Sequence, residues 1–259
     1  MNRLVKNLSD YLGLRPHLQE PWKFVWSRKT AEADREPEIR FKAGFTVRCA
    51  EPHTDRQTIN GIFGRDEYRL NGFADGGFDT IVDVGANIGL FSIRAAPLAR
   101  RIVAYEPLPD HFKILRQNLS DPRFRHVTPV QKALSGKSGP ADLWVSPNPG
   151  GHSLLPVAAK GTSSVRVDAV TFRDVFAEHA IERCDLLKLD CEGAEYESLA
   201  AMPSELWPRI ARIHLEYHQG PPGWDGGKLG EFLRGQGYRC DVVARGHHRD
   251  QGYIFASRS

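Results

Sequence analysis

The sequence predicts an α/β fold built on a mostly parallel β-sheet that is covered by helices on both faces. Apolar, strand-like runs alternate with helix-like segments from residue 79 onward. Strands that alternate with helices in this way are joined by crossover connections in a parallel sheet. The strand nearest the middle of such a sheet is expected to be apolar on both faces.

The predicted elements follow one another regularly along the chain. The strand-like segments are TIVDVG, RIVAYEP, HVTPVQKALS, CDLLKLD, ARIHLEYH, YRCDVVA and GYIFAS. The helix-like segments between them are LFSIRAAPLA, DHFKILRQNL, TFRDVFAEHA, AEYESLAAM and GKLGEFLRGQG. ADLWVS and SSVRVDAV indicate an inserted pair of strands. The short connection between the last two strands predicts an antiparallel pair at the sheet edge.

The first part of the chain predicts a smaller set of elements. Residues 39–50 alternate as a strand pair or one bent strand, and residues 54–70 predict a helix. Thr54 and Gln57 have the spacing of a capping box. The leucines of MNRLVKNLSDYLGLRP predict a short amphipathic helix, interpreted as a packing helix. We expect residues 1–78 to form an N-terminal extension and candidate lid, and residues 79–259 the main domain. Residues 54–70 could cover the acceptor or, alternatively, only pack on the sheet through Ile59, Ile62 and Phe63.

Composition narrows the class of protein. The 259 residues are 41% hydrophobic and 26% charged, with a net charge of only +3, which argues against a strong phosphate-binding role. No run of about 18 apolar residues occurs, and the N-terminus lacks the apolar segment of a secretory signal. The four cysteines form no CxxC pair, so we expect reduced thiols and a cytoplasmic location.

A glycine-containing turn follows the first predicted strand. DVGANIG, residues 83–89, lacks the GxGxxG spacing of a dinucleotide-binding turn. Asn87 stands between two glycines, and asparagine tolerates a positive φ better than most residues. The turn indicates either a nucleotide-like ligand or a tight connection without one.

An acidic residue ends the second strand. Glu106 lies 23 residues after Asp83 in the chain. A carboxylate at this position can accept hydrogen bonds from both ribose hydroxyls of an adenosine. The alternative is a surface acid at a strand end, but the turn and the acid together favour a ligand site.

Three segments resemble FkbM-type methyltransferases: TIVDVGANIGLFS, AYEPLPDHFKIL and DLLKLDCEGAEYESL. The pattern D-x-G-x-N-x-G also resembles motif I of class I S-adenosylmethionine-dependent methyltransferases. The resemblance implies a class I methyltransferase, Rossmann-like fold with a seven-stranded sheet and an antiparallel edge strand. It further implies S-adenosylmethionine as cofactor and, as acceptor, a hydroxyl of a sugar or other small natural product.

The resemblance also assigns cofactor-binding positions. Glu106 would hold the ribose hydroxyls, Ala133 beside Lys132 would lie near the adenine, and Asp190 would approach the methionine amino group, the acceptor or both. The methionine and ribose part would be lined by the turn residues Asp83, Gly85, Asn87 and Gly89.

Polar residues on two neighbouring strands predict the catalytic floor. Lys188 and Asp190 share one face of their strand, and the next strand presents His214, Glu216 and His218 on one face. Such groups are costly to bury unless they are paired or used, so we expect chemistry here and a possible Lys188–Glu216 pair. An internal ion pair without chemistry is the alternative.

The acidic residues after Asp190 are expected to have two different roles, according to their positions. Glu192 is expected to line the substrate site, whereas Glu195 and Glu197 are interpreted as helix-start residues that the helix dipole favours. His152, in the glycine-rich NPGGHSL segment, and Tyr68, near the end of the 54–70 helix, are further candidates for acceptor contacts.

Two routes of proton removal stay open. His218 is the favoured base because the ordinary histidine pKa lies near about 6.5, and Asp190 is the second candidate. Alternatively, Asp190 and Glu216 could hold a divalent ion that lowers the pKa of the acceptor hydroxyl.

Other function classes stay open at this stage. They are a nicotinamide-dependent oxidoreductase, a non-catalytic S-adenosylmethionine-binding module and, with less support, a nucleic-acid methyltransferase. The expected partners are a small-molecule acceptor and a second copy in a homodimer, with no nucleic acid and no membrane span.

Overall fold

The computed structural model describes residues 3–26, 38–145, 154, 163–245 and 248–258. The eight helices of these residues are α1 Arg3–Leu14, α2 Pro21–Trp26, α3 Pro52–Ile59, α4 Leu90–Ala95, α5 Pro109–Asn118, α6 Phe172–Glu178, α7 Ala194–Ala200 and α8 Gly226–Gly235. The strands are β1 Glu38–Arg40, β2 Thr46–Arg48, β3 Phe78–Val84, β4 Ala99–Tyr105, β5 Val127–Val130, β6 Ala133–Leu134, β7 Gly139–Val145, β8 Ser163–Val170, β9 Leu186–Leu189, β10 Arg212–Tyr217, β11 Arg239–Arg245 and β12 His248–Ser257.

A seven-stranded sheet forms the centre of the molecule, in the order β11-β12-β10-β9-β3-β4-β5. The five strands from β5 to β10 pair in parallel, as the alternation of strands and helices predicts. The antiparallel pair predicted near the edge is confirmed, and β12 is antiparallel to both of its neighbours. β12 is therefore the antiparallel strand, and it lies one position inside the sheet edge. β11 forms the edge itself.

The third predicted strand is divided between two sheets. β5 pairs with β4 in the central sheet, whereas β6 pairs with β8 in a three-stranded sheet of order β6-β8-β7. Ala133 and Leu143 are buried there with Val167 and Ala169. The inserted strand pair is confirmed, and burial against it accounts for the departure of β6 from the central sheet.

The predicted 54–70 helix is shorter and starts earlier than expected. α3 begins at Pro52, and Asp55 accepts hydrogen bonds from the backbone N–H groups of Ala50 and Glu51. The predicted Thr54–Gln57 capping box is therefore wrong, because these residues lie inside the helix. A π-helical turn, Asn60–Gly64, continues α3. The predicted apolar face is buried, with Ile59, Ile62, Phe63 and Leu70.

The N-terminal elements share the core of the central sheet. Leu14 of α1, Val47 of β2 and Ile59 of α3 are fully buried in the same hydrophobic cluster as Ile81 and Ile102 of the sheet. The 39–50 segment forms the strand pair β1–β2. The division of the chain at residue 78 stays a prediction.

α1 packs closely against the π-helical turn. A Cβ atom at Gly13 would lie 2.1 Å from the carbonyl oxygen of Gly64, so the two backbones approach as only glycine allows. The opposite side of α1 presents Leu4 and Leu8 to solvent. None of the helices among the described residues has the length and apolar character needed to cross a bilayer.

Candidate active site

The glycine turn after β3 has the backbone conformation that its residues suggest. Gly85, Asn87 and Gly89 have φ angles of 74°, 51° and 94°. A Cβ atom at Gly85 would lie 1.8 Å from the carbonyl oxygen of Asp190, so this position requires glycine. The turn is thus pressed against the end of β9, the strand next to β3.

Glu106 lies directly beside this turn. Its carboxylate oxygens accept hydrogen bonds from the N–H groups of Asn87, at 2.9 Å, and Leu108, at 2.8 Å. Burial raises the pKa of Glu106 to about 7 even though these N–H groups stabilise its charged form. The side chain is only 6% exposed.

Two cavities open from the carboxyl ends of the parallel strands. The first cavity lies beside the glycine turn and is lined by residues that include Glu106, Lys132, Ala133, Leu134, Leu143 and Leu154. The second cavity lies beside α3 and the β11–β12 pair and is lined by residues that include Gln57, Glu67, Tyr68, Glu216, Arg245 and Tyr253. Four residues line both cavities, and we call them the shared wall: Gly85, Asn87, Asp190 and Glu192.

Two of the predicted cofactor contacts lie behind the first cavity. Asp83 is fully buried, and its carboxylate accepts a hydrogen bond from Ser92 at 2.7 Å and lies 3.2 Å from Lys188 Nζ. Gly89 faces the side chain of Leu115. Neither residue lines the cavity, and their contact with the cofactor stays a prediction.

Lys188 is held at the centre of the site. Its Nζ donates to the Gly85 carbonyl at 2.7 Å and lies 3.7 Å from Asp190 Oδ2. Burial alone would lower the pKa of Lys188, but the charges of Asp83 and Asp190 outweigh it and raise the pKa. Lys188 is therefore a charged group that ties the turn to the end of β9.

The predicted pairing of Lys188 with Glu216 is wrong. In the sheet, Lys188 lies opposite Asp83 on β3 and His214 on β10, so Glu216 is out of register with it. The Glu216 carboxylate instead accepts a hydrogen bond from Arg245 at 2.8 Å. Burial and the nearby Asp190 charge raise the pKa of Glu216 to about 7.

The predicted row on β10 divides into two environments. His214 is buried, its Nδ1 lies 2.8 Å from the carbonyl oxygen of Tyr68, and burial lowers its pKa to about 4. Its ring packs edge-on against Phe255. His214 is thus a neutral packing group, whereas Glu216 and His218 lie at the cavity end of the strand.

His218 is surrounded by carboxylates. Its Nδ1 lies 3.1 Å from Glu195 Oε1, and its Nε2 lies 3.5 Å from Glu192 Oε2 and 3.9 Å from Asp190 Oδ1. Burial would lower the pKa of His218, but the hydrogen bond and charge of Glu195 and the two other acids raise it well above its ordinary value. The expectation of an ordinary histidine pKa is therefore corrected.

Glu195 has a larger role than its position in the sequence suggested. It accepts hydrogen bonds from the N–H groups of Cys191 and Gly193, which confirms it as a helix-start residue. It is also fully buried and contacts His218, which the sequence analysis did not foresee. Glu197, two residues later, is exposed.

The 54–70 segment contributes a side chain that contacts the shared wall. Tyr68 is 4% exposed and donates a hydrogen bond from its hydroxyl to Asp190 Oδ2 at 3.0 Å. Glu67 pairs with Arg65 and accepts a hydrogen bond from Tyr253. Asp66 instead caps the N–H groups of Leu70 and Asn71. His152 lies outside the described residues.

A candidate metal-binding arrangement differs from the predicted pair of Asp190 and Glu216. Glu216 is engaged by Arg245. Among the residues that the structure describes, Asp190, Glu192 and His218 each offer one ligand atom, and these atoms lie within 4.8 Å of one another. Two carboxylates and an imidazole are ligands that divalent ions accept in proteins.

Comparison with known proteins identifies the type of domain. Residues 83–240, more than half of the chain, match the family described as the methyltransferase FkbM domain. The chain belongs to the FkbM methyltransferase family. The matched range includes the glycine turn, Glu106, Asp190 and His218, so it contains both cavities' shared wall.

Individual relatives named as methyltransferases are also similar to this chain. The chain is 35% identical over 169 residues to methyltransferase sdnD of Sordaria araneosa, covering 52% of this chain and 65% of that protein, slightly less than two thirds of its length. It is 30% identical over 171 residues to methyltransferase 1 of Beauveria bassiana strain ARSEF 2860, covering 58% and 68%. It is 29% identical over 195 residues to 31-O-demethyl-FK506 methyltransferase FkbM of Streptomyces tacrolimicus, covering 62% and 72%.

The solved structures that resemble this chain include one with FkbM in its name. Methyltransferase FkbM from Methylobacillus flagellatus KT has 11% identity and a TM-score of 0.47, with 79% of this chain and 54% of that chain covered. Family membership and the order of the central sheet together describe an S-adenosylmethionine-dependent, FkbM-type methyltransferase domain.

Proposed function

We propose that this protein transfers the methyl group of S-adenosylmethionine to a hydroxyl of a small hydroxylated molecule, such as a sugar or another natural product. The observation that carries the proposal is the meeting of two cavities at the shared wall. A methyltransferase needs its two reactants in separate sites that touch at the reacting atoms. One residue set, Gly85, Asn87, Asp190 and Glu192, contacts both spaces.

The first cavity suits the cofactor. Glu106 offers a carboxylate for the ribose hydroxyls, and the glycine turn allows close approach of the backbone. Ala133, Leu134 and Leu143 provide an apolar surface for the adenine. Asp190 lines both cavities, so it lies where the methionine part and the acceptor would meet.

The second cavity suits a hydroxylated acceptor. Its wall combines hydroxyl, amide and carboxylate groups of Thr54, Gln57, Tyr68, Glu192 and Gln251 with the apolar side chains of Ile62, Ile88, Leu90 and Phe91. Such a mixture offers hydrogen-bond partners to several hydroxyls while it excludes water from one face. The name of the Streptomyces relative, a methyltransferase of an O-demethyl compound, favours oxygen as the acceptor atom.

Chemistry at the shared wall requires alignment and removal of one proton. The sulfonium methyl of the cofactor is already electrophilic, so the chief task is to hold the acceptor oxygen in line with it. Tyr68 and Lys188 hold Asp190 in place. His218 is the proposed base, because its Nε2 faces the shared wall, and Asp190 is the second candidate. The surrounding carboxylates raise the pKa of His218, so only the fraction of the protein in which Nε2 has lost its proton acts as base.

A divalent ion is a second way to activate the hydroxyl. Asp190, Glu192 and His218 would hold it, and the ion would supply Lewis acidity that lowers the pKa of a bound hydroxyl. Exhaustive chelation separates the two schemes. We expect methyl transfer to survive chelation if His218 is the base, whereas loss of activity that Mg²⁺ or Mn²⁺ restores would support the ion.

The proposed function is tested by titration and acceptor screening. Calorimetry should show binding of S-adenosylhomocysteine and no binding of NAD, and a screen of sugars and other polyols should give a methylated product. Binding of NAD instead would favour the oxidoreductase. Binding of S-adenosylhomocysteine without transfer to any small molecule, while an RNA or DNA substrate is methylated, would overturn the acceptor class. The cytoplasmic location and the homodimer both stay predictions. Cell fractionation tests the location, and light scattering tests the oligomeric state.

A further inference from the structure

We propose that Glu195 is a positioning residue that fixes the orientation and the tautomer of His218, so that its Nε2 faces the shared wall as a proton acceptor. This inference rests on the proposed function, in which His218 removes the acceptor proton. The two side chains lie on different elements, since Glu195 is in the first turn of α7 and His218 follows β10.

The Glu195 carboxylate is fixed on both of its oxygens. Oε2 accepts a hydrogen bond from the N–H of Gly193 at 2.7 Å, and Oε1 accepts one from the N–H of Cys191 at 2.9 Å. The side chain is fully buried. A carboxylate that is held by two backbone donors cannot rotate away from His218 without leaving a buried N–H unsatisfied.

This fixed carboxylate determines which ring nitrogen of His218 carries hydrogen. Oε1 lies 3.1 Å from Nδ1, and an ionised carboxylate only accepts hydrogen bonds. Nδ1 is therefore the donor, and in the neutral ring Nε2 carries the lone pair. Nε2 lies 3.5 Å from Glu192 and 3.9 Å from Asp190, so it is directed at the shared wall. Both distances are longer than those of good hydrogen bonds.

The backbone of His218 is held by the same helix. The Tyr196 hydroxyl donates to the His218 carbonyl at 2.8 Å. Two consecutive residues of α7 thus hold the ring and the main chain of His218. The charged groups around the site are Asp190 and Glu192 after β9, Glu195 on α7, Glu216 on β10, Lys188 on β9 and Arg245 on β11.

The test compares Glu195→Gln with Glu197→Gln, an exposed residue of the same helix. A glutamine amide can donate to Nδ1 and so favours hydrogen on Nε2, which removes the acceptor lone pair. We expect Glu195→Gln to lower kcat about 100-fold or more, with KM and the S-adenosylhomocysteine Kd within about twofold. Glu197→Gln should match the wild type in all three values.

A spectroscopic measurement on the wild type keeps the inference testable even if Glu195→Gln folds poorly. In ¹⁵N-histidine-labelled protein, His218 should show a strongly deshielded Nδ1 proton, assigned by its loss in His218→Gln. Its absence from the wild type, or an Nε2–H neutral tautomer there, overturns the inference. So does an unchanged kcat in folded Glu195→Gln. A wild type that binds no S-adenosylhomocysteine would instead refute the proposed function.

Discussion

Single carboxylates determine how the proposed cofactor site responds to pH. Glu106 would accept the ribose hydroxyls in its ionised form, yet burial raises its pKa to about 7. Below that pH the site must lose a proton before it binds. We expect S-adenosylhomocysteine affinity to fall about tenfold for each pH unit below 7, measured by calorimetry.

Glu106→Gln is the control for this pH dependence. Glutamine does not titrate, so the variant should bind more weakly at pH 8 and show a flat profile between pH 6 and 8. A wild-type affinity that stays constant over the same range would contradict the role of Glu106.

The proposed catalytic residues His218 and Asp190 are expected to affect turnover more than stability. His218→Ala and Asp190→Asn should each lower kcat by about 100-fold or more, because each removes a group that is proposed to contact the reacting atoms. The free energy of unfolding should change by about 1–3 kcal/mol, the cost of a lost buried hydrogen bond. Urea unfolding and steady-state kinetics measure the two effects, and wild-type turnover in either variant removes that residue from the mechanism.

At the scale of single residues, the sequence indicated which side chains lie together in the candidate site but not which of them form pairs. The strand-end positions of Glu106, Asp190 and His218 follow from parallel strands that end at one edge of a sheet. The partner of Lys188 depends on register between β9 and β10, which no spacing within one strand reveals. Glu195 was missed because the helix dipole alone explained an acid at that position.

The segment from α3 to Tyr68 is the element that most directly joins the extension to the site. Tyr68→Phe removes the hydrogen bond to Asp190 and leaves the ring in place. We expect kcat to fall about tenfold, as for one hydrogen bond to a charged group, with the S-adenosylhomocysteine Kd unchanged.

Tyr253→Phe provides the matched comparison for Tyr68→Phe. It removes a hydroxyl from the same cavity, but that hydroxyl bonds Glu67 and not Asp190. An equal loss of kcat in both variants would show that any hydroxyl of the cavity matters equally, contrary to a specific role of Tyr68.

Element types were more predictable than element boundaries. Alternating apolar runs predicted the parallel sheet, and all seven strand segments outside the inserted pair contain strands of the central sheet. The π-helical turn after α3 was not foreseen, and its Gly64 packs against Gly13 of α1, a contact between distant parts of the chain that helical spacing does not reveal. The split between β5 and β6 likewise depends on burial against a distant strand pair.

The whole molecule has a core that the N-terminal elements help to build. Deletion of residues 1–70 removes Leu14, Val47 and Ile59, each fully buried among sheet residues. We expect the fragment 71–259 to lose cooperative unfolding, since several large side chains cost about 2–5 kcal/mol each when removed from a core. Thermal unfolding followed by circular dichroism measures this, and a fragment that melts cooperatively would show that the extension is a separable lid.

The shared wall has a consequence for what happens after transfer. A sulfonium donor arrives with a positive charge, and the thioether that remains has none. Asp190 lies on the wall that both reactants touch, so in the proposed arrangement its carboxylate attracts the donor more than the spent cofactor. The reaction itself therefore weakens the electrostatic attraction between this wall and the spent cofactor. The thioether product is then released more easily than the sulfonium donor.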